Sequence, residues 1–241
     1  MKIIKDIRYI YQRNIEKINQ KQNDGRFVAM FHQIENDANG WYDNQYSISV
    51  DSFIEFIEDI QKMGYIIVSP YDIMVNDGKK KVVLTFDDSF EGVYKYVYPL
   101  LKEKKIPFVV FISVCKLREN GYINTEMLVE MTKNYSECYI GSHGVTHCNL
   151  RHVSKRKCQE EIVQSKLILE RIIEKKVELF AYPYGNIDAV GYRERCIAEK
   201  NYKLVFGTLQ TGVTVKTRKD YIPRYNINEN YVNASFWKDI F

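Results

Sequence analysis

The 241-residue chain is expected to fold as one α/β domain, barrel-like and built on a mainly parallel sheet. Three observations predict this. Short apolar runs without alternation, such as Val82-Val-Leu84 and Phe108-Val-Val-Phe-Ile112, suit strands buried on both faces. Segments of helical period alternate with these runs along the chain. No long linker, low-complexity tract or internal repeat interrupts the alternation. A composition of 45% hydrophobic and 27% charged residues supplies ample material for a core.

The elements follow in order. Ile3, Ile4, Ile7, Ile10, Ile15 and Ile18 recur every three or four residues between charges. That spacing predicts an amphipathic helix over Met1–Asn23, packed outside the domain as a first segment, 1–25. The charges leave no apolar core of about 7–15 residues, as a secretory signal would need. No stretch reaches the ~18 apolar residues of a membrane span. The expected setting is therefore cytoplasmic, with peripheral membrane contact through this helix as its other use. The domain proper is 26–241. Gly25 breaks the helix, and Phe27–Phe31 reads as a strand ending at His32. Residues 33–48 are polar and read as a loop bordering a site. Ser49 is an N-cap for a helix carrying Phe53, Ile54, Phe56, Ile57, Ile60 and Met63, stopped by Gly64.

Further strands are expected at Tyr65–Ser69, Lys81–Phe86, Phe108–Ile112, Cys138–Gly141, Val177–Ala181 and Lys203–Phe206, with a last one near 220–227. Helices are expected at 89–104, from an Asn124 cap to Met131, through most of 153–175, at 187–200 and around Trp237. The net charge of +4 is too small to argue for a nucleic-acid partner, and Lys79–Lys81 and Lys155–Lys157 read as solvated surface. Five cysteines, an odd number without a CxxC pair, suggest reduced thiols.

The chemistry gathers at strand ends. The 81–86 strand stops at Asp87 and Asp88, where the C-terminal rim of an α/β sheet carries its site. Adjacent carboxylates after a buried run need a cation or hydrogen bonds in compensation; the plainer alternative is a helix cap. His143 and His147 follow the next-but-one strand. On one helical turn their spacing would put both imidazoles on one face, within reach of one ion; the alternative is a pair of polar loop residues. Two histidines and one carboxylate would leave coordination positions open, as a catalytic metal requires. At Tyr182-Pro-Tyr-Gly185, Pro183 and Gly185 fix a turn that can leave an amide free to face a ligand. Arg224 in Ile222-Pro-Arg224 is either a partner for a buried carboxylate or a surface residue. His32 occupies the same position after its strand as Asp87 does after its own, and His152 reads as surface.

Thr85-Phe-Asp-Asp88, Ser142-His-Gly-Val-Thr-His147 and Tyr182-Pro-Tyr-Gly185 together resemble the first three motifs of the polysaccharide deacetylases, carbohydrate esterase family 4. The similarity extends over roughly 26–228. It implies a distorted (β/α) barrel of about seven strands and a divalent metal: usually zinc, with cobalt, nickel or manganese as alternatives. It implies Asp88, His143 and His147 as metal ligands, Asp87 as catalytic base, and the Tyr184 N–H, set by Pro183, as an oxyanion donor. Many members carry Arg at the position of Ala181 and a Leu-x-His near the C-terminus; this chain has neither, and no histidine follows His152. It is thus most similar to the branch resembling poly-N-acetylglucosamine deacetylases. There His32 would be the general acid, its pKa raised by a carboxylate, and Arg224 would face Asp87. The implied reaction releases acetate and an amino sugar from an N-acetylated sugar or glycan. Alternatives are an O-acetyl esterase or other amidohydrolase, a non-catalytic carbohydrate-binding protein, and a structural partner in glycan assembly.

Overall fold

A computed structural model describes residues 24–36 and 45–230. The helices expected over 1–23 and around Trp237 lie outside the described residues. The main sheet contains β1 (Arg26–Phe31), β4 (Ile66–Ile67), β5 (Lys81–Phe86), β6 (Phe108–Ile112), β7 (Cys138–Ser142), β8 (Leu179–Ala181), β9 (Leu204–Phe206) and β10 (Tyr225–Asn226). Seven of them follow one path, β10-β1-β5-β6-β7-β8-β9, with β4 beside β5. Every ladder is parallel. Residues 222–226 close the ring: Ile222 bridges Phe206 of β9, and Tyr225 then pairs with Ala29 of β1. Pro223 interrupts this segment because it has no N–H to give, so the strand expected near 220–227 shortens to two residues. The result is a distorted barrel of parallel strands.

The apolar runs bury two faces, as parallel strands should. Val28, Val83, Val109, Phe111, Leu179, Ala181, Leu204 and Phe206 pack inside the barrel. Phe27, Phe31, Val82, Leu84, Phe86, Phe108 and Val110 pack outward under the helices. Each such side chain, once buried, contributes about 1.5–3 kcal/mol. Gly141 is required inside, since a Cβ there would lie 2.3 Å from the Phe111 ring. Period two then sets the site. Val28, Met30 and His32 share one face of their strand, as do Val83, Thr85 and Asp87, and Gly141 and His143. The uppermost inward layer is where the chemistry collects.

The helices are α1 (Val50–Lys62), α2 (Tyr98–Glu103), α3 (Thr125–Asn134), α4 (Lys155–Ile173) and α5 (Tyr192–Glu199). Ser49, Asn124 and Ser154 cap α1, α3 and α4 through their side-chain oxygens. No helix among the described residues is long and apolar enough to cross a membrane.

Four expectations need correction. Within 33–48, β2 (Gln33–Glu35) pairs with β3 (Ser47–Ser49) as a small parallel sheet. Each strand spans three residues, too short to show a period. The uniform helix expected over 89–104 contains a π-helical turn at Val93–Val97, just before Pro99, which has no N–H and crowds the preceding turn. The helix expected over 187–200 begins only at Tyr192, because Asn186 Oδ1 accepts the Asp188 and Ala189 N–H groups and holds a turn there. Lys81 is not solvated: it is 4% exposed, pairs with Asp77 at 2.9 Å and donates to the Val75 carbonyl at 2.9 Å.

Candidate active site

β5 delivers two carboxylates to the rim, and the backbone sends them apart. The Asp87 N–H still pairs with the Phe31 carbonyl at 2.8 Å, so Asp87 keeps the inward direction of Thr85. Asp88 and Ser89 then adopt left-handed conformations, with φ of 66° and 64°. Buried Ser89 secures this turn: its Oγ accepts the Ser113 N–H at 3.0 Å and its carbonyl accepts the Ile123 N–H at 2.7 Å. Such strain persists where the surroundings over-determine it. Neither Asp caps the following helix, which begins at Glu91: the Asp87 carboxylate is taken by Arg224 and that of Asp88 faces His147.

Asp87 meets Arg224 in a two-pronged pair, with both N–O distances at 2.7 Å. Arg224 is fully buried. Its Nε donates to the Gly207 carbonyl at 2.9 Å, its Nη1 also reaches Thr85 Oγ1 at 3.2 Å, and its guanidinium carbon lies 5.3 Å from the centre of the Phe111 ring. Burial pushes the Asp87 carboxyl upward, but the Arg224 charge, then His143, outweigh it and hold the group below the usual carboxylate range.

His143, one residue past β7, is fixed through Nδ1 at 2.8 Å from the Ala181 carbonyl. A carbonyl can only accept, so Nδ1 carries the proton and Nε2 offers a lone pair. That Nε2 lies 3.5 Å from Asp88 Oδ1 and 3.9 Å from Asp87 Oδ2. His147 Nε2 lies 3.0 Å from the same Asp88 oxygen. The expected helical turn between the histidines is absent. Gly144 at φ 83° and His147 at φ 56° make a left-handed loop, which brings the ring centroids to 4.9 Å. Burial lowers the His143 imidazole, and the Asp87 and Asp88 charges do not fully offset it. Burial also acts downward on His147, but the hydrogen bond and charge of Asp88 carry it above its ordinary value. Asp88 ends well below the carboxylate range, because His147 and His143 overcome the upward push of burial.

The donor atoms of Asp88, His143 and His147 all lie within 4.8 Å of one another. Ligands at ~2.0–2.2 Å from a tetrahedral ion stand roughly 3.3–3.6 Å apart; the 3.5 Å separation falls in that range and the 3.0 Å one just below it, so small side-chain shifts would set the three donors round one divalent cation. The donor set of two imidazole nitrogens and one carboxylate suits zinc and related ions. The backbone carbonyl behind His143 is the usual partner of a ligating imidazole.

Pro183 is buried, while Tyr184 is 55% exposed, lies at φ 64° and sets its ring 5.0 Å from that of His147. Gly185 is obligatory: at φ 56°, an added Cβ would fall 2.6 Å from Thr208 Cγ2. Among the described residues no backbone carbonyl accepts the Tyr184 N–H. His32 directly follows β1 at 8% exposure, its ring 4.9 Å from Tyr46 and its Nδ1 without a hydrogen-bond partner among the described residues. The expected upward shift is reversed: burial outweighs the Asp87 and Asp88 charges and lowers its pKa. His152 is exposed.

Sequence reasoning missed Glu161. Its fully buried carboxylate accepts the Val145 and Thr146 N–H groups and the Thr146 hydroxyl, each at 2.8 Å. A signal existed: a lone acid on the buried face of α4, among Cys158, Ile162, Ser165 and Leu169.

The barrel and its rim define a hydrolase-type α/β site with a three-donor cation cluster beside an ion-paired carboxylate. A sequence model of the polysaccharide deacetylase family matches residues 74–196, and the chain belongs to that family. The match spans Asp87, Asp88, His143, His147 and Tyr184; His32 and Arg224 lie beyond it. YxkH of Bacillus subtilis (strain 168) is 23% identical over 218 residues, which cover 87% of this chain and 74% of that protein. The poly-beta-1,6-N-acetyl-D-glucosamine N-deacetylase of Staphylococcus aureus (strain MRSA252) is 28% identical over 168 residues, which cover 63% of this chain and 56% of the relative. The chain thus spans little more than half the length of that relative. Among solved structures, the Streptococcus pyogenes deacetylase PplD superposes with a TM-score of 0.77 at 22% identity, covering 90% of this chain and 98% of PplD. IcaB from Ammonifex degensii gives 0.73 at 21%, covering 89% and 97%.

Proposed function

We propose that this chain is a metal-dependent hydrolase that removes N-acetyl groups from an N-acetylated sugar or glycan, releasing acetate and an amino sugar. The observation that carries the reading is Asp87, held ionised by Arg224 through two 2.7 Å bonds, beside the Asp88–His143–His147 cluster. Those three residues would hold a divalent ion, zinc first, which supplies Lewis acidity and lowers the pKa of water. Asp87 takes the proton of the attacking water, and Arg224 keeps the carboxylate available at neutral pH and aimed. The Tyr184 N–H, in the turn set by Pro183, donates to the oxyanion as the carbonyl carbon becomes tetrahedral. His32 gives a proton to the departing amine as the C–N bond breaks. Burial makes its imidazolium the stronger acid and the less populated one.

The name of the Staphylococcus relative supports N-acetylglucosamine units as substrate. Tyr46 and Tyr184, about half exposed beside His32 and His147, offer ring faces to a sugar. A cytoplasmic setting also belongs to the proposal; it rests on the odd, scattered cysteines, and two or more disulfides in protein alkylated at lysis would overturn it. The main test measures acetate release from a panel of N-acetylated glycans, after chelation and again after adding zinc. Zinc-restored release from an N-acetyl substrate is expected. Hydrolysis of O-acetyl sugars alone, or no release from any glycan, would refute the reading.

A further inference from the structure

We propose that Glu161 is the positioning residue for the two histidines, setting the affinity of the cluster for its metal without touching the ion. This rests on the metal-binding reading above. His147 lies four positions after His143, and in the left-handed loop between them helical hydrogen bonds do not form. The loop's polar groups go elsewhere. The Gly144 N–H donates to Ser142 Oγ at 3.2 Å. The Gly144 and Val145 carbonyls accept from the Val114 and Cys115 N–H groups at 3.1 and 2.8 Å. The Val145 and Thr146 N–H groups both point at Glu161 Oε2, and the Thr146 hydroxyl at Oε1.

Glu161 is thus the one charged anchor among these partners. It stands on α4, across the loop from the Val114–Cys115 segment, so the loop is held from two sides. Its remaining partner is the Lys157 ammonium at 2.8 Å, one helical turn earlier. An ionised carboxylate in this fully buried place is tolerable only with such donors, and three of the four come from the loop. Gly144 also reads this contact: a Cβ added there would stand 3.4 Å from Glu161 Oε2. His147 directly follows Thr146 and leaves it at φ 56°, a conformation that costs energy and needs support. Loss of the anchor frees the loop to relax, and His147 moves away from Asp88 and His143.

Competition with a chromophoric chelator gives the zinc dissociation constant of the wild type, Glu161→Gln and Thr146→Val. Glu161→Gln keeps the shape, but its NH2 faces a donor, and affinity should fall about 10–100-fold, as on losing a residue that orients a ligand. Thr146→Val removes only the hydroxyl contact and should weaken zinc binding by a smaller factor; it also serves if the Gln variant does not fold. Amide exchange at Val145 and Thr146 should quicken in Glu161→Gln without metal, while exchange in β5 and β6 stays slow. Lys157→Ala spares the loop donors and should leave zinc affinity within about threefold. If the wild type binds zinc, and folded Glu161→Gln and Thr146→Val bind it as tightly, the proposal is overturned. If the wild type binds no zinc, the metal reading itself fails.

Discussion

Asp87 and Asp88 are neighbours in sequence and live in two different regions. Asp87 and His143 have side chains only 3% exposed, and Arg224 is fully enclosed. Asp88 and His147 are about a quarter exposed. The first region is locked by a guanidinium with contacts on every side. The second is held by backbone strain, with left-handed conformations at Asp88, Ser89, His147 and Tyr184. Two identical side chains therefore acquire different chemistry. One is a buried anion with a fixed counter-ion. The other is a carboxylate about a quarter exposed, within 3.0 and 3.5 Å of two imidazole nitrogens. Pushing the environments of paired carboxylates apart is how a site separates their roles.

The largest effect expected is on the donor cluster, which buried His143 and the more open Asp88 and His147 make together. His143→Ala removes one of three donors, and zinc content by elemental analysis should fall from one per chain to none, with activity lost. Full metal content in a folded variant would break the division of roles. On the buried side, Asp87→Asn should retain zinc and lose about 10²–10⁴-fold in turnover, the usual worth of a general base. Near wild-type turnover, or loss of the metal, would show that the two aspartates had been assigned the wrong way round.

His32 sharpens the same division, since it shares the inward layer with Asp87 and is buried. His32→Ala should lower turnover of an N-acetyl sugar by about 10²-fold or more. Hydrolysis of an activated acetyl ester, whose leaving group needs no proton, should fall much less, with metal content intact. Equal losses on both substrates would make His32 a folding residue.

Legibility in the sequence follows the same divide. The run Val82–Phe86 announces a doubly buried strand, and its abrupt end in two acids marks the rim, because both signals are local. The His143–His147 spacing is legible as a site, but its helical geometry is not. Gly144 at φ 83° ends any helix; the loop's N–H groups donate to Glu161 on α4, and its carbonyls accept from the Val114 and Cys115 N–H groups. Arg224 has no local signature: its partner is 137 residues away and only ring closure joins them. Family resemblance, not periodicity, pointed to it. Glu161 was legible in principle as a misplaced acid on an apolar helix face. Lys81 misled, because a run of lysines hides the one that turns inward to Asp77.

The effect that isolates the Asp87–Arg224 pair is in stability, and its smallest part is the change with pH. The folded pKa of Asp87 is depressed, because Arg224 and His143 outweigh burial. The unfolded value is about 3.9. A depressed group stabilises fully above its unfolded pKa and loses that contribution as pH falls through its folded one. The pair therefore supports the fold fully at neutral pH, begins to lose that support below about pH 4, and loses it completely only below the depressed folded pKa. Arg224→Met leaves burial unopposed by the guanidinium, so the Asp87 pKa should rise and the sign reverse: the carboxylate now destabilises at neutral pH, and acid relieves it by protonation. At pH 7 the variant should lose about 3–5 kcal/mol, the usual result of stranding one buried charge. Thermal melts with chelator present, at pH 7 and pH 4, measure both effects. Asp88, Asp220 and Glu161 are also depressed and add an acid loss common to both proteins, so the difference between them reports Asp87. The gap in melting temperature should narrow on going to pH 4. Adding Asp87→Asn to Arg224→Met should recover much of the loss at pH 7, since the stranded charge is then gone. A double variant as unstable as Arg224→Met alone would mean that Arg224 acts through its packing on Phe111 and its bond to Gly207, not through Asp87.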